Sequence, residues 1–150
     1  VTIDADDVVH EILPDPAERR RIAAEVFADP EKRRALEARL HPLVKAKIDA
    51  FLSSPSSSTS TKVAIIPLLF ETHWDAEYDI ICCVTSLRET QVERMMTTRG
   101  YTREEAEARL NAQWPVADKA KRSNYVIVND GSSEELREKV AAFVDWLKTK

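Results

Sequence analysis

The stretch Val63–Glu71, which reads VAIIPLLFE, decides how this sequence folds. Its four leading apolar residues predict a β-strand that is buried on both faces, as in a parallel sheet. Pro67 has no N–H to donate to a ladder, so we expect the strand to end there. Ligand-binding loops of open α/β folds follow the carboxyl ends of such strands, and Glu71 is therefore predicted to lie where ligands bind.

Other segments of the sequence also predict β-strands, and helical patterns separate them. Apolar runs cover Asp79–Val84 and Tyr125–Val128, and a short strand is expected at Val1–Asp4. Strands that alternate with helices imply an α/β fold with a parallel sheet and helices on both of its faces. Helices are predicted at about residues 7–13, 17–28, 30–52, 87–99, 103–113 and 134–148, with a shorter one from Pro115.

Capping signals predict where these helices begin and end. Pro30 suits the first helical position after Asp29, and Gly100 is a stop signal for the helix before it. The predicted N-cap residues are Asp6 or Asp7, Asp29, Ser86 with Glu89 as a capping box, Thr102 with Glu105 in the same way, and Ser133.

Length and composition narrow the class of protein. The 150 residues, 43% hydrophobic and 32% charged, suit one globular domain with a core of its own. A net charge of −4 disfavours a non-specific nucleic-acid binder, and no apolar run approaches the roughly 18 residues of a membrane span. No secretory leader is recognisable, and the sequence carries no signal for an oligomeric state. Cys82 and Cys83 would point to opposite faces of a strand, so we expect buried thiols in a reducing, cytoplasmic compartment.

Acidic residues follow the first predicted strand. Asp4 and Asp6 flank Ala5, and alternation places them on the same side if the strand continues that far. A carboxylate at this position could accept a proton from a substrate hydroxyl. The alternative is that these acids only cap a helix and face solvent.

Arginines cluster on a predicted helical hairpin. Arg94 and Arg99 precede Gly100, and Arg103 and Arg109 follow it. The planar guanidinium makes paired hydrogen bonds to phosphate, so the hairpin is similar to a mobile lid over phosphates. The alternative is a solvated helix surface on which the arginines pair with nearby glutamates.

The histidines of the sequence predict no metal site. His10, His41 and His73 are scattered and lack the spacing of metal ligands. His41 precedes Pro42 inside a helical pattern, where a proline predicts a kink. The Ser/Thr tract at residues 53–61 has no apolar side chain to bury and predicts a flexible surface loop.

Short segments along the chain together form a specific pattern. They are Ile3–Asp6, Val26–Pro30, Leu40–Leu43, Pro67–Glu71, Glu89–Gln91 with Arg94, Ala112–Gln113 and Asn129–Ser132. Each segment is weak evidence alone, but in this order they resemble the dephospho-coenzyme A kinase family.

The resemblance implies a P-loop kinase-like α/β fold of three layers, α/β/α, with a parallel sheet, as a single domain over residues 1–150. It also implies a helical acceptor-binding region at about residues 7–52 and a helical lid at about residues 94–122.

The same resemblance implies an activity, which is ATP-dependent phosphorylation of the ribose 3′-hydroxyl of dephospho-coenzyme A to give coenzyme A and ADP. The chemistry would consist mostly of positioning and of charge neutralisation by Mg²⁺ and arginines. Asp6 is the implied general base. The implied acceptor residues are His41, Pro67, Leu69, Phe70 and Glu71. The implied ATP-binding residues are Arg94 and Arg99 near the phosphates, with Asn129 and Gly131 beside the adenine.

The sequence departs from the family pattern in several places. Neither G-x-x-x-x-G-K-[ST] nor G-x-G-x-x-G occurs in the 150 residues, and Leu13–Ala17 joins helices that a longer segment usually separates. Ile65 stands where many members have an acid, so Mg²⁺ would use a P-loop hydroxyl and waters as ligands. The family's P-loop strand would lie at the centre of the sheet, and without it two neighbouring strands would expose apolar edges. We therefore expect these residues to be part of a longer polypeptide. As a complete chain they predict no kinase activity.

Two other functions remain open at this point. One is a different small-molecule kinase of the same fold, which a panel of nucleoside and nucleotide acceptors would separate. The other is a catalytically inactive kinase-like scaffold, which failure to bind ATP would favour.

Overall fold

The structure is a computed structural model that describes residues 1–55 and 61–150, with only the backbone of residues 27 and 28. Residues 56–60 of the predicted Ser/Thr loop lie outside the described part. The chain divides into two compact units, Val1–Pro67 and Leu68–Lys150. The strands are β1 (Thr2–Asp4), β2 (Val63–Ile65), β3 (Cys82–Thr85) and β4 (Tyr125–Val128). The helices are α1 (Ala5–Ile12), α2 (Pro16–Ala28), α3 (Pro30–Ser53), α4 (Arg88–Arg99), α5 (Arg103–Asn111), α6 (Val116–Lys121) and α7 (Ser133–Leu147).

The first unit combines one parallel strand pair with helices α1 to α3. Strands β1 and β2 run in register from Thr2 opposite Val63 to Asp4 opposite Ile65. Helix α3 contacts α1, α2 and β2, so it forms the centre of this unit. Its core consists of Ala5 and Val8 from α1 and Val44 and Ile48 from α3.

The sequence predicted that the strand at the start of the Val63–Glu71 stretch is buried on both faces, and for β2 this prediction is wrong. Val63 and Ile65 remain 38% and 46% exposed. They share one face because alternate strand residues point the same way, and among the described residues that face stays open. An apolar run predicts a strand, but it does not by itself say which elements cover each face.

Aspartates begin the helices of the first unit. Asp4 caps α1, because its side chain accepts a hydrogen bond from the Asp6 N–H at 2.8 Å, so the predicted caps Asp6 and Asp7 are wrong. Asp29 caps α3 and Pro30 takes the first position, as predicted. Helix α3 continues through Pro42, which cannot donate to a preceding carbonyl.

The second unit is built on another parallel pair, β3 with β4, in register from Cys82 opposite Tyr125 to Thr85 opposite Val128. The predicted strand at Asp79–Val84 thus begins later and ends one residue further on. Among the described residues, its buried apolar side chains come from both strands, from the α4 and α5 helices and from the segment after Pro67, and they are Cys83, Ile127, Val92, Ala106 and Phe70. Val84, Val126 and Val128 are exposed, so these strands are covered only in part within the described chain.

The helix ends of the second unit follow the predicted signals with two exceptions. Gly100 ends α4 in the left-handed conformation at φ 68°, and Thr102 with Glu105 forms the predicted capping box of α5. Ser86 does not cap α4. The helix begins one residue later, after Leu87, and the Leu87 N–H donates to the Asp130 carboxylate at 2.8 Å. Ser132 rather than Ser133 caps α7, in a capping box with Glu135.

In the described part of the chain, every helix is too short or too polar to cross a bilayer.

Candidate functional site

Asp6 lies in the first turn of α1, directly after the carboxyl end of β1. The strand ends at Asp4, so strand alternation does not align Asp4 with Asp6 as the sequence suggested. Asp4 uses its carboxylate to cap α1, whereas Asp6 and Asp7 are exposed. Asp4 therefore takes the capping role, and the carboxylates of Asp6 and Asp7 face solvent.

The residues after Pro67 form a compact turn, which we call the 68–74 turn. The Trp74 N–H donates to the Leu69 carbonyl at 3.1 Å, and the His73 N–H donates to the Phe70 carbonyl at 3.1 Å. His73 lies between these bonds at φ 59°, in the left-handed region. This pattern is a Schellman motif with His73 at its left-handed position. Histidine occupies that region more readily than most residues with a Cβ, but at some cost.

The Glu71 carboxylate points into the protein from this turn. One oxygen, Oε1, accepts the Trp114 N–H at 2.9 Å and lies 2.7 Å from the Lys119 Nζ. The two charged side chains are 17% and 11% exposed for Glu71 and Lys119. The second oxygen, Oε2, is buried without a hydrogen-bond partner among the described residues. Glu71 thus ties the turn to the segment that begins α6.

Aromatic rings pack on the same turn. Phe70, only 3% exposed, stacks on Trp114 with ring centroids 6.3 Å apart. The Arg122 guanidinium lies 5.3 Å from the Phe70 ring centroid and 5.4 Å from that of Trp114. Arg122 also bonds the Asp75 carboxylate at 2.6 Å. Ion pairs and ring contacts therefore hold both ends of the turn.

Two of the predicted ATP-binding residues meet each other. The Arg94 Nη1 donates to the Asn129 carbonyl at 2.8 Å, so this half-buried arginine holds the turn between β4 and α7. The Asn129 N–H donates to the Thr85 carbonyl at 2.7 Å, and Asp130 accepts from Leu87. The ends of β3 and β4 are thereby fixed side by side.

The other two predicted ATP-binding residues are exposed. Arg99 lies in the last turn of α4, away from the contact that Arg94 makes. Gly131 precedes the α7 capping box, and a Cβ built there would fall 1.5 Å from the Glu135 Oε2. That oxygen accepts the Ser132 N–H at 3.0 Å. A side chain at residue 131 would therefore displace the box.

Ion pairs join α4 to α5. Arg88 bonds Glu107 and Asn111, and Arg103 bonds Glu89. The hydrogen bond from Arg103, with its charge, lowers the pKa of Glu89, and the same contact raises the pKa of Arg103. These side chains are largely exposed. The alternative of arginines paired with glutamates on a solvated surface thus describes Arg103, while Arg109 stacks on the Tyr101 ring at 4.3 Å.

The remaining candidates form no metal centre. His41 lies half-buried on α3, in the first unit. Among the described residues, no three histidine, cysteine, aspartate or glutamate side chains cluster so as to hold a metal ion. Cys82 and Cys83 are free thiols, and of the two predicted buried thiols Cys83 is buried and Cys82 half-buried. Burial raises the pKa of Cys82 to about 11, with Cys83 adding to the rise, so the Cys82 thiol stays protonated at neutral pH.

Sequence reasoning missed the residues that build the 68–74 turn from outside. Trp114, Lys119 and Arg122 carried no signal of this role in the sequence. Helical periodicity cannot identify a buried lysine, because lysine counts as polar in any such pattern. His73 also carried no signal, since left-handed positions are normally read from glycine or asparagine.

The sequence profile of the dephospho-CoA kinase family matches residues 3–135. The chain is 40% identical over 128 residues to the dephospho-CoA kinase of Geobacillus kaustophilus, covering 85% of this chain and 64% of that protein. It is 38% identical over 133 residues to the dephospho-CoA kinase of Symbiobacterium thermophilum, covering 87% of this chain and 56% of that protein. The chain thus spans less than two thirds of the length of these relatives.

Solved structures share the fold. The crystal structure of TT1252 from Thermus thermophilus superposes with a TM-score of 0.76 at 32% identity, over 97% of this chain and 84% of that one. The dephospho-CoA kinase from Campylobacter jejuni gives a TM-score of 0.68 over the same shares, and at 22% identity it bears on the fold alone. The predicted P-loop kinase-like α/β fold is confirmed by these likenesses.

Proposed function

Because the chain belongs to the dephospho-CoA kinase family, we propose that it serves the ATP-dependent phosphorylation of dephospho-CoA. In this reaction the ribose 3′-oxygen bonds to the γ-phosphorus of ATP, the bond to the β-phosphate oxygen breaks, and the hydroxyl proton passes to a base. The products are coenzyme A and ADP, so the reaction completes coenzyme A synthesis. The activity, the acceptor and the use of ATP are proposed for the whole protein. This chain corresponds to only part of the length of its relatives.

The observation that carries the proposal is the register of the β1–β2 pair. Asp4 lies opposite Ile65, so the carboxyl ends of both strands meet at one edge. Asp6 follows the first strand and Pro67 follows the second, and functional groups of open α/β folds gather at such an edge. The general base and the start of the acceptor-binding segment would therefore be neighbours.

We propose Asp6 as the base that accepts the 3′-hydroxyl proton. Its carboxylate is exposed, and Asp4 already performs the capping of α1. His41, Pro67, Leu69 and Phe70 remain the proposed acceptor residues. Glu71 is proposed to act through the shape of the 68–74 turn, because its carboxylate is engaged with Trp114 and Lys119.

The ATP side is proposed to use the turn held by Arg94. Phosphoryl transfer needs positioning and charge neutralisation more than covalent help, and arginines suit the phosphates. We propose that Arg94 and Arg99 act there and that Asn129 and Gly131 border the adenine. Mg²⁺ commonly binds through substrate phosphates, waters and one or two carboxylates, so we assign it no ligand among the described residues.

Two wider properties follow from the proposal. The family profile runs from residue 3 to residue 135 across both units, which supports one kinase domain rather than two independent modules. A cytoplasmic location is proposed because the two cysteines are free thiols, which suits a reducing compartment.

The test is transfer from ATP to dephospho-CoA by the full-length protein, with the position of the new phosphate read by phosphorus NMR. We expect a 3′-phosphate, and little transfer to other nucleosides and nucleotides. Asp6→Asn should lower kcat by about 10²–10⁴-fold, the usual range for loss of a general base. Asp7→Asn, one residue away and also exposed, is the matched control and should stay near wild type.

Different outcomes would contradict different parts of the proposal. An Asp6→Asn protein as active as wild type would remove Asp6 from the base role. A wild-type protein that phosphorylates another acceptor in preference would point to a different small-molecule kinase. Failure of the full-length protein to bind ATP would favour an inactive scaffold.

A further inference from the structure

We propose that Lys119 is a positioning residue for the acceptor, because its ion pair with Glu71 holds the 68–74 turn in the shape that receives dephospho-CoA. The inference rests on the proposed function. It concerns a residue that need not touch the acceptor and that acts on it through the turn.

The contact itself is short and buried. The Lys119 Nζ lies 2.7 Å from the Glu71 Oε1, and the same oxygen accepts the Trp114 N–H at 2.9 Å. Lys119 as a whole residue is only 9% exposed. Charged residues are rarely buried to this extent unless they are paired, so the pair with Glu71 supports the burial of Lys119.

Lys119 lies on α6, which packs against β3. The Ser123 Oγ donates to the Lys119 carbonyl at 2.8 Å and closes the end of this helix. Burial raises the pKa of the Cys83 thiol on β3, and the positive charge of Lys119 opposes that rise. The helix that carries the lysine is therefore supported by the strand pair of the second unit, while its ammonium group pairs with the turn.

Loss of the lysine would leave Glu71 in an unfavourable state. Its Oε2 is already buried without a hydrogen-bond partner among the described residues, so the pair with Lys119 is the main compensation for its charge. A buried carboxylate without a partner is costly, and the turn would be expected to open to hydrate it. Leu69 and Phe70 would move with the turn, whereas Arg94 and Asn129 hold each other independently. The effect should thus fall on the acceptor and spare ATP.

The experiment measures KM for both substrates in Lys119→Met, Lys119→Arg and Glu71→Gln/Lys119→Met. We expect Lys119→Met to raise KM for dephospho-CoA by about 10–100-fold, as for a misplacement of about 1 Å, with KM for ATP unchanged. Lys119→Arg should restore most of the affinity because it keeps the charge. The double variant buries no unpaired charge, so it should fold even where Lys119→Met does not. It still lacks the ion pair that holds the turn, so it should show the selective rise in KM, but a smaller one than Lys119→Met because a neutral side chain at residue 71 leaves no charge to hydrate.

The matched control is Lys121→Met, on the same helix, because its ion pair with Asp118 is exposed. It should change neither KM. If Lys119→Met and the double variant are folded and keep the wild-type KM for dephospho-CoA, the inference is wrong. Equal rises in both KM values would show a merely structural role and also overturn it. A wild-type protein that does not phosphorylate dephospho-CoA would instead overturn the proposed function, and with it the acceptor-specific role.

Discussion

The 68–74 turn and the α4–α5 hairpin lie in the same unit, but their ion pairs differ in burial. The turn rests on a buried aromatic ring and a buried ion pair, with Phe70 3% and Lys119 9% exposed. The hairpin has a buried side chain on each helix, Val92 and Ala106. Its ion pairs, Arg88 with Glu107 and Arg103 with Glu89, have side chains that are 36–60% exposed. The ion pair of the turn is therefore part of its buried contacts, whereas those of the hairpin lie at the surface.

The difference has an energetic meaning. Exposed ion pairs contribute about 0–1 kcal/mol and are screened by salt, so these pairs restrain the hairpin only weakly. Breaking a buried pair costs about 3–5 kcal/mol when one charge is left alone, although the partial exposure of Glu71 reduces that figure. If the turn receives the acceptor and the hairpin is part of a lid, as proposed, this difference suits a kinase that closes over its bound substrates.

The largest effect is expected at the aromatic ring. Phe70→Ala should lower the free energy of unfolding by about 3–5 kcal/mol, because it removes a fully packed ring and leaves a cavity. Urea denaturation would measure it. Leu68→Ala in the same turn is the control, since Leu68 is 36% exposed and should cost about 1 kcal/mol or less. Equal costs at the two positions would contradict the view that the turn is anchored through Phe70.

A smaller effect is expected at Arg122, which lies over two rings. Arg122→Ala should cost about 1 kcal/mol through lost stacking and the lost bond to Asp75. Arg122→Lys keeps the charge but not the planar group, so its stability should fall between the two. Thermal unfolding of the three proteins would show the order. A lysine variant as stable as wild type would mean that charge alone matters.

Loss of an ion pair in the hairpin should cost less stability, and that cost should depend on the salt concentration. Arg88→Ala is expected to cost about 0.5 kcal/mol at low ionic strength, and that cost should vanish near 1 M salt, where the Debye length is about 3 Å. The cost of Phe70→Ala should not fall in the same way. A hairpin variant whose cost persists in high salt would show that the α4–α5 contact is more than a surface ion pair.

The smallest effect is expected at low pH, where Glu89 becomes protonated and its ion pair with Arg103 is lost. The pair with Arg103 lowers the folded-state pKa of Glu89, so its contribution to stability is present above the unfolded-state value near 4.5. It is lost as the pH falls through the lower folded-state pKa. An NMR titration of the Glu89 carboxyl should therefore give a lower midpoint than the same titration in Arg103→Gln. Identical midpoints would mean that the ion pair does not form in solution.

Local rules accounted for much of the fold. The Asp29–Pro30 helix start, the stop at Gly100 and the Thr102–Glu105 capping box are confirmed because each depends on neighbouring residues alone. The order of strands and helices followed from apolar runs and breaks. Ser86 failed as a cap because α4 begins one residue later than predicted, after Leu87. The Leu87 N–H donates to the distant Asp130 carboxylate, a contact that no local pattern contains.

The site was less predictable for a physical reason. Residues such as Asp6 and Glu71 were found because they follow predicted strands, a rule that needs only sequence. The partners of Glu71 come from a segment more than forty residues further on, and the Trp114 N–H and the Lys119 ammonium carry no mark of that role. The exposure of Val63 and Ile65 was missed for the same reason, since burial of a strand depends on which elements cover it.

Amide hydrogen exchange of the full-length protein tests the contrast between the turn and the hairpin most directly. The account predicts that the amides of Thr72, Trp74 and Trp114 exchange only through large-scale opening, and that their rates do not depend on salt. Amides of α5 should exchange faster than these three. Their exchange should become faster again in high salt, because the surface ion pairs weaken. Protection of α5 equal to or greater than that of the turn would contradict the account.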